Sequence, residues 1–157
     1  MATRDVSGIS IDSPGGDMNA ARILVELANA REIRVTALDR CASACVWIWA
    51  SSSRRRAFGY SRLGIHRPHI GLGDDAPFVR ALMSGVAERH FQRLREANFP
   101  ESLLQEAATS EDNAPKWIYA SQLRKAGVQM ELLDHDLPGD HEGLPDAAGS
   151  SAAHSRP

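Results

Sequence analysis

Three short apolar segments, each delivered into a turn of small or polar residues, constrain this chain more than anything else in it. Val6–Ile11 and Ile33–Leu38 alternate at period two, and Leu63-Gly64-Ile65-His66 is a third such segment. Helical spacing fills the gaps between them. In Met18–Ala30 the residues Ala20, Ile23, Leu24, Leu27 and Ala28 recur at three- and four-residue intervals on what reads as the buried face. A second, strongly apolar run follows Cys45 as far as Ser51. Strand, helix, strand, helix, strand in that order predicts an α/β protein with a parallel or mixed sheet, its first strand buried.

The rest of the chain adds shorter pieces. Asp74-Asp75 with Pro77 in the first turn predicts a helix to about Asn98, with Phe78, Leu82, Val86 and Leu94 pointing inward. Pro100-Glu101-Ser102 opens a helix to about Ala108, and Glu111–Pro115 reads as a polar loop. Lys116–Tyr119 reads as a brief strand, Ser121 as the cap of a helical turn ending at Gly127, and Val128–Leu133 as a last strand or edge. From Asp134 to Pro157, Pro, Gly, Asp, Ser and Ala dominate. That tail holds too little apolar surface to order itself. The expected organisation is one domain over residues 1–133 and a disordered tail over 134–157.

Composition narrows the function classes. A net charge of −2 on 157 residues gives no reason to expect nucleic acid or an anionic membrane as partner. The Arg54-Arg55-Arg56 triplet reads as a solvated turn. No apolar run reaches membrane-spanning length, and the first residues lack the apolar segment of a secretory signal, so the compartment is left open. Cys41 and Cys45 are too few for a disulfide framework and do not have zinc-site spacing. They read as reduced, buried small side chains, although a bond between them is within geometric reach.

Three stretches can carry chemistry. Ser13-Pro14-Gly15-Gly16-Asp17 joins a strand to a helix. Glycine there allows a substrate to approach the backbone, although a plain tight turn has the same sequence. A phosphate-binding loop is the other candidate and a weak one, because the Lys and Ser/Thr of a P-loop are missing and no Gly-x-Gly-x-x-Gly is present. Ser43, in Cys41-Ala42-Ser43-Ala44-Cys45, stands before a helix, where N–H groups and the positive dipole end would stabilise an anion; the plain alternative is an N-cap. A serine needs a base to become a nucleophile, and His66 at a strand end offers one. His69 and His90 are rivals that their contexts do not single out.

In this order, Ile11-Asp12-Ser13-Pro14-Gly15-Gly16, Ala42-Ser43-Ala44 and Ile65-His66-Arg67-Pro68 resemble the proteolytic subunit of Clp protease and its ClpP-like relatives in the ClpP/crotonase superfamily. The resemblance covers about Val6 to Val128, at nearly the family's spacings. The Cys-Ala-Ser-Ala-Cys form is similar to a bacterial, often periplasmic, branch. The resemblance implies a core of repeated strand–helix units that is truncated at its N-terminus, since relatives carry a further strand and helix ahead of the Ser-Pro-Gly-Gly strand. A lost unit implies an exposed sheet edge and exposed core surface. It also implies a periplasmic location if a signal is missing from the sequence, and a cytoplasmic one otherwise.

Carried over residue by residue, the resemblance makes Ser43 the nucleophile and His66 the general base, with the N–H groups of Gly16 and Ala44 as oxyanion hole. The implied activity is that of a serine endopeptidase acting on peptide or protein substrates, with no metal or organic cofactor. The implied assembly is a homo-oligomer joined through the Asp75–Asn98 helix. Pro115 stands where the family has its acid. Asp112 is the substitute, with Asn113 behind it. A Ser–His dyad held by a backbone carbonyl is an alternative, and a Ser–Lys dyad using Lys116 or Lys125 a weaker one. A non-catalytic homologue acting as an assembly or binding subunit is the rival from another class, and an acyl-CoA enzyme of the crotonase branch a third reading.

Overall fold

The sheet is built on one strand. The computed structural model describes residues 5–68, 77–110 and 114–133, the Arg80 side chain excepted. In chain order its elements are β1 (Gly8–Ser13), α1 (Met18–Ala30), β2 (Arg34–Ala42), α2 (Ala44–Ser51), β3 (Arg55–Phe58), β4 (Arg62–Ile65), α3 (Pro77–Glu96), α4 (Glu101–Thr109), β5 (Lys116–Tyr119), α5 (Ala120–Lys125) and β6 (Glu131–Leu133). β1 lies parallel along one edge of β2. The other edge is shared in parallel by β3, paired from Val35–Arg55 to Ala37–Ala57, and β4, paired from Arg40–Arg62 to Ala42–Gly64. β6 continues the sheet parallel to β3, and β5 closes it antiparallel to β4. The protein is therefore mixed α/β.

The handover from β3 to β4 is held by Ser61, which is fully buried. Its oxygen accepts the Phe58 N–H at 3.1 Å, and its hydroxyl lies against the carbonyls of Ala37, at 3.0 Å, and Leu38. One side chain thus satisfies backbone groups that the change of partner leaves unpaired.

α2 is apolar on nearly every face and sits in the middle of the core. Trp49 is fully buried, donates Nε1–H to the Arg56 carbonyl at 2.7 Å and meets Phe99 edge-on at 6.4 Å. The Arg54–Arg56 segment is not a solvated turn. Arg55 and Arg56 are half-buried in β3, where Arg55 donates to the carbonyls of Ala50 and Gln129 and lies over the Trp49 ring, and Arg56 pairs with Glu131 at 3.1 Å.

Two helix faces differ from the sequence expectation. α1 buries Ala21, Val25 and Ala28, while Ile23, Leu24 and Leu27 are exposed and Ala20 lies outside the core. Its apolar residues fill two adjacent stripes, and the helix packs the one with smaller side chains, which allows close contact with α2. In α3 the buried stripe is Met83, Ala87, His90, Phe91 and Leu94. Phe78 and Leu82 are exposed and Val86 is half-buried. β1 is not a buried strand either. It has a partner on one edge only, so Ile9 and Ile11 are half-buried. The cap of α5 is Tyr119, whose N–H donates to Gln122 Oε1 at 3.1 Å, and not Ser121. The start of the α3 helix at Asp74–Ala76 and the tail over 134–157 lie outside the described residues.

Candidate active site

β1, β2 and β4 run parallel and adjacent, so their carboxyl ends meet at one rim of the sheet, the rim at which open α/β sheets bind ligands. The three stretches singled out in the sequence leave from those ends. The glycine loop follows β1, Ser43 follows β2 and His66 follows β4.

The glycine loop is pressed onto the serine. Ser13 Oγ accepts the Gly15 N–H at 3.1 Å, and Asp17 caps α1 by accepting the Ala20 N–H at 2.8 Å. Gly15 has φ +115°, and a Cβ at that position would lie 2.6 Å from Ser43 Cβ, 2.9 Å from the Ala42 carbonyl oxygen and 3.1 Å from Ser43 Oγ. Only glycine fits. Gly16, at φ +152°, has open space where a Cβ would be, and its N–H meets no acceptor among the described residues.

Ser43 has φ +56° and ψ −124°, outside the regions a serine ordinarily occupies. An N-cap serine is extended and accepts a backbone N–H through its side chain; Ser43 does neither, so the N-cap reading does not describe it. Its N–H donates to the Gly64 carbonyl at 3.0 Å, fixing the strained turn to β4. A backbone of this kind costs about 1–3 kcal/mol and persists where surrounding structure holds it. A serine on a strained strand-to-helix turn is also how a nucleophile is projected from a sheet rim. Ala44 is the first residue of α2, and its N–H has no intrahelical carbonyl to bind.

Cys41 and Cys45 are joined in a disulfide with Cα atoms 5.2 Å apart, which corrects the expectation of reduced side chains. The bond ties the end of β2 to the first turn of α2, with Ser43 between.

His66 is half-buried, with Nδ1 2.8 Å from the Arg67 carbonyl oxygen. A carbonyl can only accept, so Nδ1 carries the proton and Nε2 is the basic nitrogen. A backbone carbonyl therefore orients this ring. Asp112, Asn113 and His69 lie outside the described residues. Lys116 is engaged with Glu106 at 3.6 Å, and Lys125 ends α5.

Beside the serine turn is a groove of about 410 Å3 with apolar walls from Pro14, Ala42, Pro115 and Trp117 and the polar residues Asp12 and Arg40. The Trp117 ring lies against Gly64, where a Cβ would approach it to 2.9 Å. Gly64 thus seats the indole on β4, two residues before His66. Sequence reading missed both roles, because a Gly and a Trp that touch across strands leave no local pattern. Among the described residues no group of three His, Cys, Asp or Glu side chains could hold a metal ion, and no helix is long and apolar enough to cross a membrane.

Comparison with models of known protein families and with curated proteins returns no match for this chain.

Proposed function

We propose that this chain is a ClpP-like serine peptidase of the ClpP/crotonase type that cleaves peptide bonds through an acyl-enzyme on Ser43. One observation carries the reading: Ser43 is held in a strained turn at the shared carboxyl rim, with its side chain withheld from capping and a glycine loop against it. In the first step Ser43 Oγ attacks the substrate carbonyl carbon while its proton passes to His66 Nε2. The tetrahedral oxyanion takes hydrogen bonds from the Gly16 and Ala44 N–H groups, at the positive end of α2. Collapse breaks the C–N bond, and the His66 proton leaves with the amine. Water then attacks the acyl-enzyme, giving its proton to His66, and the acid is released as Ser43 regains its hydrogen. The groove under Trp117 is where the acyl side of the peptide would lie.

Pro115, half-buried in the groove wall, favours a second reading, a non-catalytic subunit of the same fold, because proline cannot orient an imidazole. The two readings separate on labelling with a fluorophosphonate probe, read by mass spectrometry with circular dichroism as a control for folding. The peptidase reading expects one adduct on Ser43 in the wild-type chain, none in Ser43→Ala, and labelling at least 100-fold slower in His66→Ala. A folded chain that takes no adduct is the non-catalytic subunit. Homo-oligomerisation through α3 belongs to the same proposal.

A further inference from the structure

Four arginines line one cleft at the rim of the sheet opposite Ser43. β2, β3 and β6 run parallel and begin at that rim, with Val35 paired to Arg55 and Arg56 to Glu131. Arg34, the first residue of β2, therefore meets Arg54, Arg55 and Arg56 where β3 opens. The cleft they share has a volume of about 360 Å3, within the range of small-molecule sites. Against the four cations stands one carboxylate, Glu131.

Much of this charge has no internal partner. Arg55 is committed to the fold, since it donates to the carbonyls of Ala50 and Gln129 and lies over the Trp49 ring. Arg56 reaches Glu131 through Nη2 at 3.1 Å, while its Nε–H is buried without an acceptor. The guanidinium groups of Arg34 and Arg54 make no ion pair or hydrogen bond among the described residues. Like charges gathered in this way repel one another, and a buried donor left unpaired is costly. Burial first, and the charge of Arg93 second, hold Arg55 below the usual arginine range. Packing accounts for Arg55 and the pairing with Glu131 for part of Arg56. Neither accounts for Arg34 and Arg54 beside them, whereas a bound anion does.

We propose that this cleft binds a small anion bearing more than one phosphate group, with Arg34, Arg54 and Arg56 as its ligands and Arg55 as a fixed neighbouring charge. The planar N–H fork of a guanidinium matches phosphate oxygens, and several forks around one cleft suit a ligand that carries several negative charges. Glu131 competes for Arg56 and repels an anion, so a single phosphate is held more weakly than a chain of them. Binding makes and breaks no covalent bond. The site is separate from the Ser43 rim and does not depend on the peptidase reading.

The test is isothermal titration calorimetry of the full chain with inorganic phosphate, pyrophosphate and tripolyphosphate, and with citrate as a carboxylate anion carrying several charges. Wild type is compared with Arg34→Gln, Arg54→Gln and Arg124→Gln, the last an exposed arginine on α5 outside the cleft. Arg34→Gln and Arg54→Gln break no ion pair, so both should fold as wild type does, which circular dichroism checks. Tripolyphosphate is expected to bind one site, more tightly than phosphate and at least about tenfold more tightly than citrate. Arg34→Gln and Arg54→Gln should each weaken it about tenfold, and Arg124→Gln by less than about twofold. In the wild type, NMR shifts on adding tripolyphosphate should centre on the amides of Arg34 and Arg54–Arg56, a readout that needs no variant. A folded wild-type chain that binds none of the three phosphates overturns the proposal, and so do shifts centred elsewhere. Binding that Arg124→Gln weakens as much as the cleft variants overturns it as attraction to surface charge only. Citrate held as tightly as tripolyphosphate overturns the assignment to phosphate.

Discussion

Gly15→Ala is expected to lower stability by about 2–5 kcal/mol and to slow labelling of Ser43 by about 100-fold or more. The new Cβ would sit 2.6 Å from Ser43 Cβ and 2.9 Å from the Ala42 carbonyl oxygen. Neither neighbour can yield cheaply. Ala42 ends the strand that carries the sheet, and Ser43 is tied through its N–H to Gly64. The glycine loop must therefore back away from the serine, and φ +115° adds strain of its own for any side chain. Gly16→Ala is the control. It meets no atom within 4 Å and carries only the penalty of its dihedral, so its loss of stability should be the smaller of the two. Chemical denaturation of both variants decides the point: equal losses would mean that the loop does not bear on Ser43.

Replacing Cys41 and Cys45 together by Ala is expected to lower stability by about 2 kcal/mol, on the chain-entropy estimate for so short a loop. The labelling rate should fall with it. Ser43 is held in its strained conformation from two sides, by the hydrogen bond to Gly64 and by the bond between the residues two before and two after it. Removing one restraint lets the turn relax toward an ordinary cap. Both cysteines are almost fully buried, so a thiol reagent with a mild reductant should modify them only after the chain opens. Labelling that is unchanged in the double variant would assign the disulfide to stability alone.

The alternation of strands and helices was legible because each apolar segment ends in a turn of small residues, and the bounds of α1 were read correctly from periodicity. Which face of α1 or α3 packs was not. Ile23, Leu24 and Leu27 have the right spacing but lie one stripe away from Ala21, Val25 and Ala28, and only the position of α2 decides between the stripes. β3 was hidden because three arginines in a row read as solvent-facing, whereas the guanidinium groups of Arg55 and Arg56 are taken up by Trp49, two carbonyls and Glu131. At the site, Ser43, His66 and the glycine loop stood out by residue type and order. Trp117 did not, because contact across strands is a property of the assembled chain. The disulfide was weighed and set aside, since spacing alone cannot tell two buried thiols from a bond.

The arrangement around β2 also sets an order of assembly. The glycine loop, the Ser43 turn and His66 are carried by β1, β2 and β4, a contiguous block in which each pairing joins segments fewer than about 30 residues apart, with correspondingly short loops to close. β5 and β6 reach β4 and β3 from far down the chain, and such distant pairings are slow to form. The block that holds the serine, the histidine and the glycine loop is thus the part topology favours forming first, with the flanking strands sealing the sheet around an architecture already in place.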